Sequence, residues 1–176
     1  FNMPGRVQID LLKVCQASLT KLPSYKLDSV AEYYISGKIK DVIFRGETED
    51  GSGNVSGDSS ISSCYIKIDN IKELDIGNYI VISMAATTAK LYDGEKLKIL
   101  NIERENNIIK VDRPIPKSCL TSGPLWGLGK DDVTPQDIFR LQKGTNDDRS
   151  EVAKYCIQDC VLLIRLLRKL EVLPNN

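Results

Sequence analysis

The chain has 176 residues, with 24 Lys and Arg balanced by 24 Asp and Glu, and no histidine. Zero net charge gives no basic field of the kind that announces a general nucleic-acid binder. The absence of histidine excludes Ser-His-Asp and Cys-His nucleophilic machinery within the chain, so any chemistry here is carboxylate and metal chemistry.

The length suits one ordinary domain, or one domain with a smaller one inserted. No signal peptide and no long apolar run suggests secretion or membrane spanning. The first residues, Phe1-Asn-Met-Pro-Gly, look like a loop cut from a longer chain. Val7, Ile9, Leu11 and Leu12 then predict a short strand that bends into a helical turn near Lys13–Gln16. Leu22-Pro23-Ser24 is a turn. Leu27, Val30, Ala31 and Tyr34 have helical spacing, with Asp28 as N-cap and Gly37 as stop. Residues 44–60 are rich in Gly and Ser and read as a polar linker.

Residues 61–113 read as strands. Cys64, Ile66 and Ile68 alternate with Tyr65, Lys67 and Asp69, and further short strands begin at Tyr79, Leu97 and Ile108. Asp93-Gly94 and Asn106-Asn107 are hairpin-type turn signals. Four or five such strands predict a small antiparallel barrel of the OB or SH3-like kind. Between Arg45 and Gly129 there are ten Lys/Arg against twelve Asp/Glu. That balance favours a bland insertion or a protein-docking module over a DNA-binding barrel.

Residues 114–130 read as a Pro/Gly connector around Trp126, the only tryptophan. The indole is expected to anchor this connector against a neighbouring surface, or to meet a partner. Thr134-Pro135-Gln136-Asp137 is a helix start, Gly144 ends that helix, and Thr145-Asn146-Asp147-Asp148 begins the next.

The stretch Glu151–Glu171 reads as one amphipathic helix. Val152, Cys156, Ile157, Cys160, Leu163, Ile164, Leu167 and Leu170 recur at spacings of three and four, which predicts one apolar face. Of the five cysteines (Cys15, Cys64, Cys119, Cys156 and Cys160), none forms a Cys-x-x-Cys pair, so a zinc site is not expected. Cys156 and Cys160 lie on the apolar stripe and are expected to be buried thiols in a reducing compartment. Tyr155 and Asp159 are four apart, which sets a phenol and a carboxylate about one turn apart on the same side of the helix. A carboxylate there can bind a divalent metal, and the phenol can position a water beside it. The bland alternative is a Tyr at the core edge and a solvated Asp.

The run Lys130–Gly144, followed by Ala-Lys-Tyr-Cys-Ile-Gln-Asp-Cys at Ala153–Cys160, resembles the third exonuclease motif, Tyr-x-x-x-Asp, of the family B DNA polymerases. Gly5–Val14 and Tyr25–Tyr34 resemble the segment between the second and third exonuclease motifs of that family. The resemblance covers roughly the first 43 and the last 47 residues. It implies an α+β chain: residues 1–43 and 130–176 as parts of a ribonuclease H-like exonuclease domain, and residues 44–129 as an inserted small β-barrel with its linkers. Extra modules at this point suggest a large DNA virus.

The resemblance further implies 3′–5′ proofreading by two-metal hydrolysis of a primer 3′ end, with DNA as partner and Mg²⁺ or Mn²⁺ as cofactor. Asp159 takes the part of a metal ligand, and Tyr155 the part of a hydrogen-bonding partner to the attacking water. The first two motifs are absent from this sequence and are expected upstream of Phe1, so the chain alone is expected to be inactive. The expected location is intracellular and reducing: the nucleus, or a cytoplasmic viral replication site. The alternative reading is a non-catalytic docking module, in which the barrel binds a processivity factor or other replication partner.

Overall fold

The structure, a computed structural model, describes residues 4–6, 8–17, 21–44, 64–85, 87, 89–131 and 133–171. Most of the 44–60 linker, and Val7, lie outside the described residues. The chain opens with helix α1 (Leu11–Ala17). Sequence predicts a strand at Leu11 and Leu12, but Asp10 Oδ1 accepts the Leu12 amide at 3.1 Å and starts a helix there instead.

Helix α2 (Leu27–Tyr34) buries Val30 and Ala31, with Leu27 and Tyr34 packed at the core edge, as the spacing predicts. Its ends differ from expectation. Lys26 stands at the N-cap without a side-chain bond, and Asp28 lies in the first turn, where a carboxylate suits the positive helix end. The helix stops at Tyr34, before Gly37, because Ile35 leaves helical geometry and the chain runs directly into a strand.

Six strands follow: β1 (Ser36–Ile43), β2 (Cys64–Ile68), β3 (Tyr79–Met84), β4 (Leu97–Glu103), β5 (Ile108–Val111) and β6 (Pro124–Gly129). All neighbours are antiparallel, and they close into a barrel in the order β1-β2-β5-β4-β3-β6. That is one strand more than an OB fold has. Strands β2 to β5 stand where the alternation predicts them. In β2, Cys64, Ile66 and Ile68 are buried and Lys67 is exposed. Asn107, with φ 54°, turns the β4–β5 hairpin, and Asp93 and Gly94, both at positive φ, turn the chain before β4.

Strands β1 and β6 depart from the sequence expectation. A bulge between Ile39 and Asp41 breaks the alternation of β1, so its two inward residues, Ile39 and Val42, fall out of period. β6, Pro-Leu-Trp-Gly-Leu-Gly, has the composition of a connector yet pairs with β3 along its whole length. Its glycines have a packing reason. A Cβ on Gly127 would lie 2.5 Å from the Glu32 carbonyl oxygen, because α2 crosses β6 there. On the neighbouring strand β1, a Cβ on Gly37 would meet Trp126 Nε1 at 2.8 Å. Trp126 is therefore neither a connector anchor nor a partner contact: it is 2 % exposed, in the barrel core, and its Nε1 donates to Asp69 Oδ1 at 3.4 Å.

Helix α3 (Pro135–Gln142) starts as predicted, with the Thr134 hydroxyl accepting the Asp137 amide at 3.1 Å. Helix α4 (Asn146–Lys169) starts with a full capping box between Thr145 and Asp148. One hydrophobic core joins the barrel interior to Cys15 of α1, Val30 and Ala31 of α2, and Leu162 and Leu166 of α4.

Candidate active site

Helix α4 turns a different face inward from the one its apolar residues predict. Leu162 and Leu166 are buried, and Val152, Tyr155 and Asp159 continue the same inward line at half-burial. Most of the expected apolar face points away: Ile157 is 62 % exposed, and Leu163, Ile164, Cys156 and Cys160 are exposed, while Val152, Leu167 and Leu170 of that face are half-buried. Those two thiols are not buried as their stripe predicts. The core side of α4 is set by Leu162 and Leu166, and nothing among the described residues covers the opposite side. Cys15, Cys64 and Cys119 are the buried thiols, and burial pushes all three up in pKa.

Tyr155 and Asp159 are thus brought together on the side facing the rest of the chain. The residue that joins them is Lys130, immediately after β6. Its Nζ lies 3.0 Å from Asp159 Oδ2 and 4.8 Å from the centre of the Tyr155 ring. Both lie within the range of direct ionic and cation–π attraction. Burial of Lys130 works to lower its pKa. Hydrogen bonding to Tyr155 and Asp159 and their nearby charge outweigh it, and the ammonium ends above its ordinary value. Water still reaches the pair, so the ion pair contributes about 1 kcal/mol or less to stability.

Lys130 stands between two cavities. One, of about 250 Å³, is lined by Asp159, Leu162 and Arg165 of α4 with Asp75, Asn78, Lys130 and Asp131. The other, of about 540 Å³, is lined by Tyr155, Lys130, Asp131 and the start of α2. Sequence reasoning does not reach Lys130, because its partners lie far downstream on another element; no local spacing signals such a contact.

The expectation places Asp159 in a metal site completed by carboxylates from outside this chain. Among the described residues no group of three or more His, Cys, Asp or Glu could hold a metal ion. Asp159 has a lysine ammonium as its cation. The described residues alone therefore supply no complete metal cluster. What they build is a carboxylate on the wall of one cavity and a phenol on the wall of another, with a held ammonium between them.

No protein-family model matches the chain. It is 38 % identical over 175 residues to a protein named DNA polymerase from Pyramimonas orientalis virus, covering 99 % of this chain and 12 % of that protein. It is 32 % identical over 178 residues to the DNA polymerase of Phaeocystis pouchetii virus, covering 99 % of this chain and 16 % of that one. The DNA polymerase of Acanthamoeba polyphaga mimivirus is 25 % identical over 201 residues, covering 97 % of this chain and 12 % of its own length. The chain thus spans less than a fifth of the length of each of these relatives.

Proposed function

We propose, from the premise that this chain is a relative of the DNA polymerases of large DNA viruses over 99 % of its length, that it serves as a segment of such a polymerase and carries part of its 3′–5′ proofreading exonuclease. On this reading the helices belong to a ribonuclease H-like exonuclease domain of a family B enzyme. The barrel is a module inserted into that domain. The substrate is DNA, with the primer 3′ end at the site.

The observation that supports the exonuclease assignment is the placement of Tyr155 and Asp159. Both lie on the inward line of α4, bridged by Lys130, with Asp159 on the wall of one cavity and Tyr155 on the wall of another. Asp159 is the carboxylate this chain offers towards a Mg²⁺ or Mn²⁺ site, and the remaining ligands must come from other parts of the polymerase. Tyr155 shares Lys130 with that carboxylate, and its hydroxyl can orient a water beside it. No described helix is long and apolar enough to cross a membrane, and replication in an intracellular compartment is consistent with the exposed free thiols of α4.

The test is Asp159→Ala in the full-length polymerase that carries this segment. Trimming of a single-stranded DNA 3′ end is expected to fall by more than roughly 100-fold, since even a neighbour of a metal ligand can be worth that much. Primer extension is expected to persist. Unchanged trimming would remove Asp159 from the site and with it the exonuclease reading.

A further inference from the structure

Helix α4 carries the candidate site but is held from one side only. Its nearest neighbouring elements are α3 and α2, and among the described residues its outer face is bare. Towards the barrel, two side chains make the polar connections that the described residues show. One is Lys130 to Asp159. The other is Arg165, whose side chain is 15 % exposed.

Arg165 Nη1 donates to the Glu73 carbonyl at 2.8 Å and to Asn78 Oδ1 at 3.1 Å, and Nη2 donates to Asp75 Oδ2. All three acceptors come from one short loop between β2 and β3. A rigid planar fork filling three acceptors fixes direction as well as distance, which a flexible ammonium does not.

That loop is itself fixed. The Gly77 amide donates to the Ile99 carbonyl at 2.8 Å, and the Ile99 amide donates back to the Asn78 carbonyl at 2.8 Å, which staples the loop to β4. Asn78 Oδ1 accepts the Asp75 amide at 3.0 Å. Arg104 Nη2 holds the other Asp75 oxygen at 3.1 Å and the Leu74 carbonyl at 3.1 Å. Leu74 is fully buried beneath it. On the helix, Leu162 and Leu166, either side of Arg165 in sequence, are seated in the core. Arg165 and Asp159 line the same cavity, about 9 Å apart along the helix axis.

We propose that Arg165 is a positioning residue that ties α4 to the barrel and so fixes where the Asp159 carboxylate lies. The proposal rests on the reading of Asp159 given above. It gives the barrel a mechanical role. The 73–78 loop grips the site helix at Arg165, and Lys130 meets it at the Asp159 carboxylate itself. Without Arg165, α4 keeps its core leucines but is free to rock about them, and the carboxylate leaves its register with Lys130. A displacement of an ångström at a reacting group is enough to slow a reaction strongly.

The experiment compares Arg165→Gln, Arg165→Lys and Asp159→Ala in the full-length polymerase, reading 3′-end trimming, primer extension and amide hydrogen exchange. Arg165→Gln is expected to lower the kcat of trimming on the order of 10- to 100-fold, with KM for DNA and primer extension unchanged. Amides from Tyr155 to Leu166 should exchange faster while those of β2 and β5 keep their protection. Arg165→Lys should restore only part of the rate. A merely structural role would instead loosen the strands together with the helix and slow extension as well, and that result would overturn the proposal. Should Arg165→Gln fail to fold, Asp75→Asn removes the loop's charge from outside the helix, and it must change trimming and α4 exchange in the same direction. Wild-type trimming in Arg165→Gln beside a dead Asp159→Ala would refute the positioning role alone. Wild-type trimming in Asp159→Ala would refute the site reading, leaving the exchange data to decide whether Arg165 still holds the helix.

Discussion

The close approach of α2 to β6 at Gly127 gives a sharp test of how the helices sit on the barrel. An ideal Cβ on Gly127 lies 2.5 Å from the Glu32 carbonyl oxygen and 2.7 Å from Glu32 Cγ, where ordinary contact begins at 3.4 Å. The Glu32 carbonyl is main chain in the last turn of α2, so Gly127→Ala must push that turn back by nearly 1 Å. Val30 and Ala31, both buried, move with it. Overpacking of this kind destabilises by about 1–3 kcal/mol. Because Gly127 is not in the left-handed region, alanine also stiffens the unfolded chain and returns about 0.4–1 kcal/mol. The net expectation is a loss of about 1–2 kcal/mol, or a fall in Tm of about 2–8 °C for a chain of this size.

Thermal unfolding followed by Trp126 fluorescence measures it. Gly129→Ala, two residues along the same strand, is the internal comparison. Its Cβ meets only the flexible Lys96 side chain at 3.2 Å and the Tyr79 carbonyl at 3.5 Å, and a change within about 0.5 kcal/mol is expected. If Gly127→Ala melts with or above the parent, α2 does not rest on β6 as described, and the inference from steric contact fails.

Three further outcomes follow from the packing and the caps. Leu166 is fully buried, so Leu166→Ala should destabilise by about 2–5 kcal/mol in urea unfolding; a loss under about 1 kcal/mol would mean that α4 is not seated in the core. A thiol reagent should label Cys156 and Cys160 promptly and Cys15, Cys64 and Cys119 only on unfolding, because the latter are buried and their thiols are held above their ordinary pKa; labelling of all five at one rate would contradict the burial. The Thr145 hydroxyl and amide hold the Asp148 carboxyl below its ordinary value. A depressed carboxyl contributes stability at pH above its ordinary range, lost as pH falls through the lower folded value. Amides in the first turn of α4 should therefore lose protection as pH drops below about 4, and Asp148→Asn should abolish that dependence in hydrogen exchange.

Local chemistry made much of the fold legible. The helix starts at Thr134 and Thr145 rest on contacts three residues apart, and β2 to β5 announce themselves by alternation and by turn residues such as Asn107. What failed to show was whatever depends on a distant partner. β1 hides behind its bulge, and β6 behind glycines whose use becomes visible only when α2 is laid across them. The Cys156–Ile164 stripe is a true apolar face of α4, but sequence periodicity cannot say which of two faces meets the core. For the candidate site, Tyr155 and Asp159 share one helix and their pairing is readable from spacing. Lys130 and Arg165 belong to it through contacts that bridge separate elements, and only the fold brings those together.

The path of the chain through the barrel has a consequence for how such a module can be gained, lost or exchanged. Ser36, at the start of β1, pairs with Gly127, near the end of β6, and the Leu128 amide donates to the Ile35 carbonyl at 2.8 Å. The chain therefore leaves the helical part and returns to it within one ladder spacing, about 5 Å. A single residue or two can span such a gap, so a cassette cut from 36 to 129 can be lifted out without stretching the backbone between α2 and α3. The obstacle to removal is solvation. Val30, Ala31, Leu162 and Leu166 share their core with the barrel and would be left wet. Any replacement at this junction must present an apolar wall to those four side chains, whatever its own fold.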